Sequence, residues 1–122
     1  MREIKFRAWD NDHKQWRYGW LTKLVEGVRR FTAIICDNED GDLTRYYIHE
    51  DKTVGQYTGL KDKNGKEIYE GDIVAGGKTI RTVIFKDGQY IPTNGHCTLA
   101  YLVLHGWVVI GNIHENPELV VM

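Results

Sequence analysis

A chain of 122 residues with 42% hydrophobic content, including four Trp, seven Tyr and three Phe, is the size of one domain with a modest core. Its 16 basic and 17 acidic residues leave a net charge of −1, without the basic excess of proteins that bind nucleic acid by neutralising phosphates. Two cysteines, no apolar leader ahead of "MREIKFRAWD" and no unbroken apolar run of about 18 residues predict reduced thiols in a soluble, cytoplasmic protein with no membrane partner.

Strand signals dominate the chain. "IKFRAW" (4–9) sets Ile4, Phe6 and Ala8 against Lys5, Arg7 and Trp9, the period of a half-buried strand. After the polar turn 10–15, "WRYGWL" (16–21) carries Trp16, Tyr18 and Trp20 on one side, completing a first hairpin. A second hairpin is predicted from "VRRFTAIIC" (28–36) and "LTRYYIH" (43–49), joined by the acidic turn "DNEDGD". Thr32, Ile34 and Ile35 are β-branched and no cap precedes them, which disfavours helix there.

"TVGQYTGLKDKNGKEIYEGDIV" (53–74) is the densest turn segment. Asn64-Gly65 predicts a type I′ hairpin turn, with Tyr57 facing Ile68 or Tyr69. A second tight turn at Glu70-Gly71-Asp72 leads into "IVA". "KTIRTVIF" (78–85) and "QYIPT" (89–93) flank the hairpin loop Lys86-Asp87-Gly88, and Pro92 is expected at a strand end or sheet edge. Residues 98–105 read two ways: a strand, or a helix from Leu99 to Leu104 capped by Thr98 and stopped at Gly106. "WVVIGNI" (107–113) is a strand and "HENPEL" a turn.

About eight strands with at most one or two short helices predict a mostly β chain that forms a small barrel more readily than a flat sheet. The expected organisation is a single domain, 1–122. N-terminal β-hairpins (1–52) precede a barrel-like half (53–122).

The turn segment fails as an EF-hand: with Gly65 or Gly41 at position 6, position 1 falls on Leu60 or Cys36. It fails as a P-loop because the Gly59–Gly65 gap is wrong and Glu67 follows Lys66. His96, Cys97, His105 and His114 lack the short paired spacing of zinc ligands. His96 and Cys97 point to opposite faces if extended, and Glu70 and Asp72 flank a turn glycine as solvated carboxylates. No catalytic, cofactor or metal site is predicted, and the chain is not expected to be an enzyme.

The turn segment, the downstream "VIGNIHENPEL" and the opening "REIKFRAWD" together resemble the YopX family of Gram-positive bacteria, their phages and prophages. The resemblance implies a β-rich fold whose second half is a partly open barrel of the SH3-like kind. It implies no established activity and transfers no catalytic residue. Where the family more often carries an aromatic, this chain has the histidine of "NIHENP".

Two binding readings remain. The favoured one is a phage- or prophage-derived accessory protein acting as a non-enzymatic protein-interaction module. Its candidate partner-binding turn is Lys61, Asp62, Lys63, Asn64 and Lys66. The alternative is a small β-barrel for single-stranded nucleic acid, stacking bases on Trp16 and Trp20 beside Arg29 and Arg30. Homo-oligomerisation is left open by both, and an enzyme or metal-binding protein is the last alternative.

Overall fold

The structure, a computed structural model, describes residues 4–38, 40–86, 88–93 and 97–120. Among these lie ten strands, one short α-helix and two 3-10 turns, so the chain is mostly β as predicted. It divides into two compact units, Met1–Gln56 and Tyr57–Met122.

In the first unit β1 (Phe6–Asp10), β2 (Gln15–Glu26), β3 (Arg29–Asp37) and β4 (Leu43–Ile48) pair antiparallel in succession. Gly55 and Gln56, at the start of β5 (Gly55–Lys61), pair with β1. Both predicted hairpins form. The expectation stopped β2 at residue 21, but it runs on through "TKLVE" and turns at Gly27 (φ 62°) and Val28 into β3. A third hairpin therefore links the two. β2 also changes partner along its length, since residues 15–19 pair with β1 and residues 20–26 with β3. Gly19 stands at the handover, where a Cβ would lie 2.1 Å from the Ile35 carbonyl oxygen. Only glycine lets the two backbones approach this closely. The core is Ala8, Ile34 and Ile48, with Phe6, Leu21, Cys36 and Val54 packed around them.

In the second unit the rest of β5 pairs with β6 (Glu67–Tyr69), Tyr57 opposite Tyr69 as expected. The turn between them is not type I′. Gly65 has φ 83° whereas Asn64 is not in the left-handed region. The Gly65 N–H donates to the Asp62 carbonyl and the Asp62 N–H to that of Lys66. That is a type I turn closed by a left-handed glycine, the three-residue hairpin loop.

The remaining strands form a sheet ordered β10-β7-β8-β9, from β7 (Asp72–Gly76), β8 (Thr79–Lys86), β9 (Gln89–Pro92) and β10 (Val108–Asn112). Its two edges, β10 and β9, do not meet in a ladder among the described residues, so no closed barrel forms. The predicted loop between β8 and β9 includes Asp87, which lies outside the described residues. Pro92 ends the edge strand β9, where its missing N–H removes no ladder bond.

Residues 99–104 are helical (α1, Leu99–Leu104), and the Thr98 hydroxyl accepts the Tyr101 N–H at 3.1 Å, the N-cap bond. Gly106, at φ 83°, follows the helix. Leu99 and Leu102, three apart on one helical face, are buried with Ile68, Val74 and Val83 in this unit's core.

Candidate interaction surface

Residues directly opposite in an antiparallel ladder share a face. The registers of β2, β3 and β4 therefore place Trp20, Ile35 and Arg45 in one row, Thr22, Ala33 and Tyr47 in the next, and Leu24 beside Phe31 beyond it. Leu43 continues the face opposite Asp37. The reverse face carries Leu21, Ile34, Tyr46 and Ile48, which include the first unit's core. β4 shows the division plainly: Leu43, Arg45 and Tyr47 are exposed while Ile48 is buried.

The outward face is unusually apolar for a solvated sheet surface. Trp20 is 50% exposed, Leu43 61%, Tyr18 45% and Tyr47 36%. Phe31 meets Tyr47 edge-on with centroids 5.6 Å apart, the Arg29 guanidinium lies 5.6 Å over Phe31, and that of Arg45 lies 5.9 Å from Tyr47. These contacts hold the rings in place without covering them.

Two open hollows indent this region. One, of about 420 Å³, is lined by Ile4, Lys5, Tyr18, Trp20, Ile35 and Asp37. The other, of about 500 Å³, is lined by Ile35, Leu43, Thr44, Arg45 and Tyr47. Both are large enough for a side chain yet open to solvent, which suits a partner's protruding residues better than an engulfed small molecule. Charges at the margin are mixed. Lys5, Arg29 and Arg45 alternate with Glu26 and Asp37, and Arg29 lies directly opposite Glu26.

The predicted partner-binding turn divides differently. Lys61, Lys63, Asn64 and Lys66 are exposed, but Asp62 is buried. One of its oxygens accepts the N–H groups of Asn64 (2.9 Å) and Lys66 (3.0 Å), and the other accepts that of Val109 in β10 (3.0 Å). Burial pushes this carboxyl up, but the three N–H groups and the Lys66 charge hold it below the ordinary range. Asp62 is thus a staple between the turn and β10, its buried carboxylate occupied by backbone N–H groups.

The "NIHEN" segment is similar turn chemistry. The Asn112 carboxamide oxygen accepts the N–H groups of His114 (3.0 Å) and Glu115 (2.9 Å), while the Asn116 side-chain oxygen accepts the Asn112 N–H (3.2 Å). In both segments a side-chain oxygen gathers the N–H groups of the turn that follows it.

Of the predicted stacking set, Trp20 is on the outward face. Trp16 is half-buried, edge-on to Trp9 with centroids 5.5 Å apart and 4.8 Å below the Arg7 guanidinium. Arg29 and Arg30 are exposed near the β2–β3 tip, on opposite faces as neighbours in a strand must be. Sequence reasoning missed Phe31, Ile35, Leu43 and Arg45. The alternation in β4 was legible, but only the register joins it to Trp20.

Asp10, buried between β1 and the following turn, accepts Arg17 Nε at 2.9 Å and hydrogen-bonds His13 Nδ1 at 2.7 Å. Burial raises its carboxyl, but the Arg17 and His13 bonds more than offset that and hold it low. Arg17 also stacks 3.6 Å over Tyr46. This cluster fastens β2 and β4 around the turn.

Burial pushes the nearby Cys36 thiol up, which favours the unreactive protonated form. Cys97 is exposed in the loop before α1. Asp72 is buried and accepts the Tyr69 N–H at 2.8 Å, so it does not join Glu70 as a solvated pair. Among the described residues no group of three His, Cys, Asp or Glu is placed to hold a metal, and no helix is long and apolar enough to cross a membrane. His96 lies outside the described residues.

The family model for YopX protein matches residues 5–121. Among solved structures, the crystal structure of protein EF1440 from Enterococcus faecalis is similar, with 31% identity and a TM-score of 0.62. The match covers 99% of this chain and 100% of that one. No curated protein matches. The chain belongs to the YopX protein family.

Proposed function

We propose that this protein is a non-enzymatic interaction module that engages a protein partner through the outward face of β2, β3 and β4. The observation that carries this reading is the exposed cluster of Trp20, Leu43 and Tyr47 around Ile35, with both charge signs at its margin. Buried at an interface, large aromatic and aliphatic groups of this kind dominate binding, and mixed marginal charges set orientation.

The family's phage and prophage setting fits an accessory role inside a bacterial cell. A second unit read as a partly open, SH3-like barrel gains support from its order: the β7-β8-β9 meander, one short helix, then β10 returning to β7. In this reading that unit is scaffold.

The test is affinity capture from host lysate with and without nuclease, using the wild type and a Trp20→Ala/Tyr47→Ala double variant. A partner retained after nuclease and lost with the double variant supports the reading. Capture that survives the double variant sinks it.

Binding of single-stranded nucleic acid is the second reading, favoured by the Arg29–Phe31 and Arg45–Tyr47 stacks. It requires capture that disappears with nuclease and falls steeply as salt is raised.

A further inference from the structure

We infer that the partner presents to this face an extended peptide segment carrying two apolar side chains and an adjacent carboxylate, with the carboxylate seated on Arg45. The inference rests on the interaction-module reading and specifies what that face takes. Ile35 lines both hollows and is therefore the ridge between them. The hollows lie on either side of β3, toward β2 and toward β4, so their centres are about 10 Å apart at strand spacing. Side chains on one face of an extended peptide recur about every 7 Å, so two apolar residues separated by one position, leaning apart, can straddle the ridge.

Charge distinguishes the two hollows. The first contains both Lys5 and Asp37. The second contains Arg45 and no acidic residue, and among the described residues Arg45 has no carboxylate partner. A guanidinium held beside Tyr47, next to Leu43 and Ile35, becomes partly desolvated once a peptide covers the hollow. There it recognises a carboxylate strongly and directionally. Nucleic acid fits less well, because a phosphate at every nucleotide would meet Asp37 and Glu26 on the same face.

The test is selection of a random-peptide display library on the full chain, followed by affinity measurements on synthetic copies of the enriched peptides. The expected peptides carry paired apolar residues flanked by Asp or Glu. Arg45→Glu should weaken them by roughly tenfold to a hundredfold. A peptide whose acidic residue is changed to Lys should recover binding to Arg45→Glu and lose it to the wild type.

Enriched peptides without an acidic residue, or with affinity unchanged by Arg45→Glu, overturn the carboxylate assignment. If Trp20→Ala and Tyr47→Ala still abolish their binding, the interaction face itself survives. Failure of the library to enrich any peptide counts against an extended segment. Salt-sensitive binding of oligo(dT) at the same residues would replace the peptide by nucleic acid.

Discussion

Replacing Asp62 by alanine removes one carboxylate that three backbone N–H groups share. The bond to Val109 is the most consequential. It spans 47 residues of sequence, joins the β5–β6 turn to β10, and is partly buried, so its loss strands a donor. A hydrogen bond to a charged acceptor contributes about 1.5–3 kcal/mol, and the two turn N–H groups, which belong to exposed residues, roughly 0.5–1 kcal/mol each. Asp62→Ala should therefore cost about 3–4 kcal/mol and lower Tm by about 12–16 °C. Asp62→Asn keeps an acceptor for the turn but directs an amide N–H toward that of Val109 or those of the turn, costing about 2 kcal/mol. Urea denaturation followed by circular dichroism, with amide exchange at Val109, measures both. Lys63→Ala, at an exposed position of the same turn, is the control and should stay within about 0.5 kcal/mol of wild type. If Asp62→Ala proved as stable as Lys63→Ala, the staple would be an incidental contact and the turn would be free to serve as a binding loop.

Gly19→Ala should destabilise by about 2–4 kcal/mol, read by the same denaturation, because its Cβ would fall 2.1 Å from the Ile35 oxygen and backbone must move. Thr98→Ala should cost about 1 kcal/mol through loss of the α1 N-cap, and Thr98→Asp should restore most of it. Acid stability should follow Asp10 and Asp62, both held below the ordinary carboxylate value. A depressed folded pKa adds stability that is fully present above the unfolded value of about 3.9 and fades as pH falls through the folded value, so the unfolding midpoint in urea should drop below about pH 4. Asp62→Ala should flatten that limb. Trp20→Ala should change stability by less than about 1 kcal/mol, since half of the residue is exposed, and Tyr47→Ala should cost about 1–2 kcal/mol through its lost contact with Phe31.

Strand positions and hairpins were legible wherever the signal was local. Alternation in "IKFRAW" and "LTRYYIH", the glycine turns and the Thr98 cap all depend on residues within a few positions of one another. β2 was read too short because both of its faces carry apolar residues, Trp20 and Leu24 on one and Leu21 and Val25 on the other, so period-2 contrast fades after residue 21. Asn64-Gly65 signalled a turn correctly but its type incorrectly, since the Asp62 carboxylate binds the N–H groups of Asn64 and Lys66 and selects the longer loop. The candidate site was the least legible part. Trp20, Ile35 and Arg45 are dispersed in sequence, and only the β2–β3–β4 register sets them side by side. Asp62 looked like a surface residue among lysines because its partner, Val109, comes from another strand.

The outward face of β2, β3 and β4 as a protein-binding surface is tested most directly by nuclease-treated capture with the Trp20→Ala/Tyr47→Ala variant, after its fold has been verified by denaturation. The expected result is a partner held by the wild type and absent from the variant at matched stability. Equal capture by both proteins, or capture by the wild type that nuclease abolishes, would contradict it.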